Sequence, residues 1–520
     1  MYVLGLSCFY HDASSCLLQD GRVITAAEEE RFTRVKHDIS FPVNSAEWCL
    51  RDAGITIGDV DYVGFYEKPF LKFERMMSQH MEMFPKSFWT FINTIPAWIN
   101  EKIRIQSLIK KNLQYRGDVF YIQHHLAHSA STFFLSPFKE AAILTVDGVG
   151  EWDTTALGYG KGNEIRVVKA INFPHSIGLL YSTITALLGF KVNNDEYKIM
   201  GLSAYGKPRY YDDFMKLIDV KDDGSFMLDM SYFDYHYRMR MPSSKLQDEF
   251  GETRRKGEKI TQHHMDVAAT VQKVTEDVIF RMLDHLHEIT GMENLCLAGG
   301  VTLNSVANGK IIKNTPFKQI YVQPAAGDGG ASMGAAVFTY NGVLKKKRGF
   351  ILDTAFLGPE YTRKEIKDFL DENRVKYSTF KDDRELVEAT ARMVFEDKIV
   401  GWFQGRMEWG PRALGSRSIL ANPCNPDMKD ILNARVKHRE EFRPFAPVVP
   451  VEDVNDYFEC DDPLPLSADF MLLVYPIREG RRKLIPSVTH VDGTGRLQTI
   501  RREQNPLYWG VVKEFEKLAG

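Results

Sequence analysis

Apolar residues come in short runs at the start of the chain. Val3 to Leu6 and Ala13 to Leu18 flank the polar Tyr10-His11-Asp12, and Asp20-Gly21 leads into a third run, Val23 to Ala26. This pattern predicts three strands, and an Asp-Gly pair between apolar runs marks a tight hairpin because both residues tolerate the left-handed backbone of the turn. A unit of the same design runs from Ala141 to Val146, passes Asp147-Gly148-Val149-Gly150 and returns through Thr154 to Gly160. Two such units predict an internally duplicated α/β architecture. Between them, Phe70 to Leu108 turns helical, aromatic and Met-rich, with Phe73, Met76, Met77, Met81, Phe88, Trp89 and Trp98. That stretch reads as a core-packing insertion, the alternative being an adaptable wall for a bulky acceptor. From Gln262 to Thr290, residues Val267, Val271, Val274, Val278 and Leu283 recur at helical spacing and predict one long helix.

The pattern changes at Lys345-Lys346-Lys347-Arg348-Gly349, a charged run that reads as a solvated boundary, and places a domain limit near residue 350. Beyond it the periodicity predicts helices over Arg363 to Glu372 and Asp383 to Asp397, a strand over Ile399 to Phe403, and an arginine-rich loop. A length of 520 residues allows two or three domains.

Composition narrows the function classes. Sixty-six Lys plus Arg against sixty-nine Asp plus Glu give a formal charge of −3, without the basic surplus of a dedicated nucleic-acid binder. Apolar residues at 44% and charged residues at 26% argue for a folded, soluble chain. The six cysteines form no CxxC pair and the chain opens on a strand-like run, so the expected compartment is reducing and cytoplasmic. The most apolar stretch, Phe88 to Ile105, is broken by Asn93, Pro96, Glu101 and Lys102, which leaves no membrane anchor to expect.

The chemistry begins at His124-His125-Leu126-Ala127-His128, which follows the run Val119 to Ile122 and starts a helix. His124 and His128 stand four apart and share one helix face, so together they can grip a cation, while His125 points elsewhere. Asp147, at a strand end beside glycine, and Asp328, in Gly327-Asp328-Gly329-Gly330, are the acidic candidates to complete the set. Two imidazoles and two carboxylates suit Fe²⁺, Mn²⁺ or Zn²⁺, although an aspartate in such a turn serves equally well as a cap. The strand Leu295 to Ala298 runs into Gly299-Gly300 and on to Asn304, either to let a nucleotide phosphate approach bare backbone or simply to turn tightly. Arg406, Arg412, Lys437, Arg439, Arg443 and Arg496 stand among Gly, Pro and Phe residues in the second half, and planar guanidinium forks there match phosphate oxygens. Surface salt bridges with Glu408, Glu440 and Glu441 are the alternative. His11 and Lys36 are candidates for acid–base work and for steadying negative charge, or else hydrogen-bonded turn residues.

These motifs, taken in order, resemble the O-carbamoyltransferases of the NodU nodulation and cephalosporin/tobramycin tailoring family. The resemblance rests on His11-Asp12-Ala13-Ser14, Ala27 to Lys36, His124 to His128, Lys198-Ile199-Met200-Gly201-Leu202, Gly299 to Asn304, Gly410-Pro411-Arg412-Ala413-Leu414-Gly415 and Arg443-Pro444-Phe445-Ala446-Pro447. It implies an α/β protein in two parts. Residues 1–350 would form a tRNA threonylcarbamoyltransferase-like domain on the duplicated actin/sugar-kinase fold, and residues 351–520 a YrdC-like α/β domain. It further implies an ATP-dependent O-carbamoyltransferase. Carbamoyl phosphate and ATP, with Mg²⁺, give carbamoyl adenylate in the second domain, and the first passes the carbamoyl group to a hydroxyl of a small-molecule acceptor. In that mapping His124, His128, Asp147 and Asp328 are metal ligands, with iron the usual metal. His11 is the base and Lys36 its cationic neighbour, while Gly299, Gly300, Asn304 and the six basic residues contact nucleotide and phosphate. Family members continue past Pro506-Leu507-Tyr508 and Phe515-Glu516-Lys517 into an Asn-Thr-Ser-Phe-Asn strand, so the YrdC-like part is expected to be truncated here. The competing readings are a tRNA threonylcarbamoyltransferase-like enzyme and a non-catalytic nucleotide-binding interaction protein. Neither nucleic acid nor membrane is an expected partner.

Overall fold

The computed structural model describes Met1 to Gly520 apart from the side chains of Ala97 and Asn100. The chain forms two units, Met1–Leu352 and Asp353–Gly520.

The first unit is built on two five-stranded sheets. Strands β1 (Tyr2–Ser7), β2 (Ser14–Gln19) and β3 (Arg22–Glu28) form an antiparallel meander, and β4 (Tyr62–Phe65) and β5 (Asp118–Tyr121) add parallel strands beyond β1, giving the order β3-β2-β1-β4-β5. The turn from β2 to β3 uses left-handed Asp20 and Gly21, with φ of 51° and 83°, as the Asp-Gly pair predicts. Strands β6 (Glu140–Val146), β7 (Asp153–Lys161) and β8 (Glu164–Asn172) repeat the meander. A small hairpin of β9 (Ile218–Val220) and β10 (Phe226–Leu228) intervenes before β11 (Asn294–Ala298) and β12 (Gln319–Val322) join parallel beyond β6. The second order, β12-β11-β6-β7-β8, is the first one read backwards, so the two sheets share one topology. Alternating apolar residues such as Leu4, Leu6, Leu17, Val63 and Phe65 are buried in the first sheet, each contributing about 1.5–3 kcal/mol.

One helix ties the unit together. Asp328–Val337 begins at Asp328, three residues before the run Ala331 to Ala336 that reads as helix in the sequence. It lies so close to its neighbours that a Cβ at Gly5 would stand 1.9 Å from the Ser332 carbonyl oxygen, and one at Gly334 1.9 Å from that of Ala127. Glycine at both contacts lets backbone meet backbone. The long helix Gln262–Thr290 has the predicted bounds, and it ends at left-handed Gly291.

The segment Phe70 to Leu108 departs from the core-packing expectation. Ile95, Trp98 and Ile105 are buried, but Phe70, Met81, Phe84, Phe88, Trp89, Ile92 and Ile99 face outward, while Lys72, Arg75 and His80 of the helix Pro69–Glu82 are buried instead. Apolar spacing defines a stripe but not the side on which it lies, and here the side that carries Lys72, Arg75 and His80 faces the protein. Among the described residues, no helix is long and apolar enough to cross a membrane.

The second unit holds the helices Arg363–Glu372 and Asp383–Phe395, the hairpin β13 (Val400–Phe403) with β14 (Arg417–Leu420), and a three-stranded sheet β15-β17-β16 from Val448–Pro450, Thr494–Ile500 and Leu473–Pro476. Ala391, Val394, Trp402, Leu420, Ile500, Tyr508 and Val511 form a core within it.

Candidate active site

Strand β5 delivers the chain to the helix His124–Phe133, whose first turn is held by Glu151. Both carboxylate oxygens of Glu151 accept the His124 amide at 3.0 Å, an acidic group where the helix dipole favours one. One helical turn then brings His124 and His128 side by side, with their Nε2 atoms 3.1 Å apart. Asp147, directly after β6, presents Oδ2 2.9 Å from Nε2 of His124 and 3.1 Å from Nε2 of His128. Asp328, at the start of its helix, brings Oδ1 to 3.6 and 3.4 Å from the same nitrogens. Four side chains from three distant stretches thus converge, with one ligand atom from each lying within 4.8 Å of the others.

The arrangement fits a divalent cation. Ligands about 2.1 Å from an ion and about 90–110° apart stand roughly 3.0–3.4 Å from each other, close to the separations found here. Oδ1 of Asp328 is buried and makes no hydrogen bond in the structure. The charge balance points the same way. Burial alone would lower the His128 pKa, yet Asp147 and Asp328 outweigh it and raise it to about 9. Burial would raise that of Asp147, but hydrogen bonds from His124 and His128 hold it well below the usual carboxylate range. The cluster therefore demands positive charge, and its nitrogen and oxygen donors suit Fe²⁺, Mn²⁺ or Zn²⁺. His125 turns away: its ring contacts Thr145 Oγ1 at 2.7 Å and the Asp153 carbonyl at 2.9 Å, and burial lowers its pKa to about 3, so it remains neutral.

His11 borders this cluster, with Nε2 3.9 Å from Oδ2 of Asp328. Its Nδ1 lies 2.8 Å from Oδ2 of Asp12, whose Oδ1 meets Nδ1 of His37 at 2.7 Å. Burial would lower the His11 pKa, but Asp328 and Asp12 raise it to about 9. Lys36 is exposed, its ammonium 5.7 Å from the Tyr197 ring centre. The side chain that reaches His11 through Asp12 is its neighbour His37, one residue beyond the Ala27 to Lys36 motif and unmarked by it. Glu151 was missed as well, since nothing in its local pattern marks it as a helix cap.

The double glycine after β11 accommodates the protein itself. Gly299 has φ of +98° and a Cβ there would stand 2.3 Å from the Val146 carbonyl oxygen, while one at Gly300 would stand 3.1 Å from Oδ1 of Asp147. Asn304 caps the short helix Ser305–Asn308 through the Ala307 amide at 3.1 Å and pairs with the Gln272 amide at 2.9 and 3.1 Å.

In the second unit, Arg412, Arg439 and Arg443 each stand near enough to Arg496 to disfavour its charge. Burial and these neighbours hold the Arg496 pKa well below the usual guanidinium range, and burial pushes that of Arg412 down to about 10. Lys437 is lowered by burial and by Arg439 and Arg443. Arg439 is braced by Asn433 Oδ1 at 2.7 Å and lies over the Phe445 ring at 4.5 Å, while Arg443 stands 3.9 Å from Glu440. Half-buried Arg406 opens the loop. Glu408, which the sequence offers as a salt-bridge partner, instead accepts the backbone amides of Leu414, Ser416 and Arg417 at 2.8, 2.8 and 3.1 Å and so shapes the Gly410–Arg417 loop. Guanidinium groups held this close suit a multiply charged anion.

The chain matches the carbamoyltransferase N-terminus family over residues 2–337 and the carbamoyltransferase C-terminus family over residues 391–520. It is 44% identical to an uncharacterized protein of Synechocystis sp., covering 99% of this chain and 89% of that one. It is 36% identical to the nodulation protein NolNO of Sinorhizobium fredii, covering 98% and 73%, and 28% identical to an uncharacterized protein of Methanocaldococcus jannaschii, covering 100% and 92%. With both halves matched in order, the chain belongs to the carbamoyltransferase family and is an enzyme of that class.

Proposed function

We propose that the protein is an ATP-dependent O-carbamoyltransferase with its two half-reactions divided between its two units. The second, as a YrdC-like domain, converts carbamoyl phosphate, ATP and water to carbamoyl adenylate, inorganic phosphate and pyrophosphate. The first, on an actin/sugar-kinase-like fold that its repeated sheet order favours, transfers the carbamoyl group to the hydroxyl of a small molecule. The observation that carries this reading is the convergence of His124, His128, Asp147 and Asp328 beside His11.

The chemistry needs three things, since an alcohol is a weak nucleophile and a carbamoyl carbon is deactivated by its nitrogen: a good leaving group, charge stabilisation and a nearby base. Arg412, Lys437, Arg439, Arg443 and Arg496, with Arg406 at the loop entry, hold the phosphates of carbamoyl phosphate and ATP, and AMP becomes the leaving group. His124, His128, Asp147 and Asp328 hold iron or another divalent cation, which when bound supplies Lewis acidity towards an oxygen of the donor. His11, oriented by Asp12, accepts the acceptor's hydroxyl proton as the oxygen attacks the carbamoyl carbon, a role for its neutral form, which a cation held by the cluster would favour by offsetting the charge of Asp328. Lys36 serves, if it moves inward from its exposed position, as a second cation beside the donor.

Labelled pyrophosphate incubated with the protein, ATP and carbamoyl phosphate is expected to exchange into ATP. Exchange that does not depend on carbamoyl phosphate, or none at all, would reject the first half-reaction.

A further inference from the structure

The helix Pro69–Glu82 buries Lys72 and Arg75 and exposes Phe70, Leu71 and Met81, and one of those two cations forms no ion pair. Lys72 is paired with Glu67 at 2.5 Å. Arg75, one turn further along the same face, is 6% exposed and meets no carboxylate at ion-pair distance among the described residues. Its Nη1 donates to the neutral Gln79 Oε1 at 3.3 Å, its Nε is buried without a partner, and its guanidinium lies 4.7 Å from the Phe173 ring centre. Removing one partner of a buried ion pair is costly because the other is left uncompensated, and Arg75, on which Glu67 and Glu151 act only from beyond ion-pair distance, is close to that position from the outset.

Its surroundings place it at the border of the candidate active site. The Phe173 amide bonds the Trp152 carbonyl at 2.8 Å, in the loop that carries Glu151. The Lys72 ammonium lies 5.1 Å from the Tyr10 ring centre, and the Tyr10 ring lies 4.9 Å from that of His11. The Tyr10 hydroxyl stands 4.0 Å from the position a Cβ would take at Gly148, next to Asp147. Arg75 thus lies on the side of Tyr10 and His11, where the nucleophile must approach. A donor phosphate would find its countercharge in a cation held by the four-residue cluster.

We propose that Arg75 receives an anionic group, a carboxylate or a phosphate, carried by the acceptor, and so sets the substrate class as acidic hydroxyl compounds. This rests on the O-carbamoyltransferase reading. The guanidinium would hold the anion while a hydroxyl of the same molecule is presented to His11.

The test titrates the full-length, iron-loaded protein by calorimetry with D-glucuronate, D-glucose and AMP. The first two share a ring and differ by a carboxylate, and AMP represents the donor. Wild-type protein is expected to bind glucuronate roughly 10- to 100-fold more tightly than glucose, the scale of a charge-assisted contact. Arg75→Gln is expected to erase that difference and Arg75→Lys to retain part of it, with both variants checked for a native melting transition. The proposal is overturned if glucuronate binds no better than glucose in the millimolar range, if Arg75→Gln keeps the discrimination, or if Arg75→Gln weakens AMP and leaves glucuronate untouched, which would give the anion to the donor. Pyrophosphate exchange reads the parent reaction separately, so its failure is distinguishable from the failure of this assignment.

Discussion

The four-residue cluster of the first unit and the arginine cluster of the second pose the same electrostatic problem with opposite signs. Asp147 and Asp328 bring buried negative charge to two imidazoles, and the result is a demand for a cation. Arg412, Arg439, Arg443 and Arg496 bring positive charge together, and the result is a demand for an anion. They also differ in assembly. The first draws on residues 124 to 328 and depends on the packing of two sheets, whereas the second draws on residues 412 to 496, from the loop that Glu408 shapes, the segment Arg439 to Arg443 and strand β17.

That contrast can be broken most sharply by His128→Ala. Metal content after dialysis should fall by more than the roughly 10- to 100-fold that changes in supporting residues cost, while pyrophosphate exchange continues. Full metal retention by this variant would remove His128 from the cation site. Arg496→Gln is the mirror experiment: exchange should drop roughly 100-fold, as when one preorganised donor is lost, with metal content unchanged. An unaffected exchange rate would return the arginines to structural duty. His11→Ala should leave exchange intact and slow transfer roughly 100-fold or more, and parallel loss of both activities would contradict the division of labour. The smallest effect is expected at Glu151→Gln, which weakens the hold on the first turn of His124–Phe133. Stability should fall by about 1 kcal/mol and metal affinity roughly 10-fold, measured by denaturant unfolding and competitive chelation.

What the sequence made legible follows from periodicity. The His124/His128 spacing depends only on the helical repeat, the hairpin at Asp20-Gly21 only on local backbone preference, and the bounds of Gln262–Thr290 on a sustained apolar stripe. What it concealed depends on contacts between distant residues. Glu151 becomes a helix cap because the fold places it under residue 124, and His37 rather than Lys36 reaches Asp12 because the left-handed turns at Arg34 and His37 orient that segment. The inverted helix Pro69–Glu82 is the clearest case, since its pattern states that two faces differ and leaves their orientation to whatever surrounds it.

Gly5 and Gly334 touch no reacting group, yet they determine how deeply the helix bearing Asp328 is seated between its neighbours. A single methyl at either position would wedge that helix outward and lift one carboxylate away from the histidine pair. The tolerances of the ion's cage are therefore set at a distance, by two residues whose contribution is the absence of a side chain.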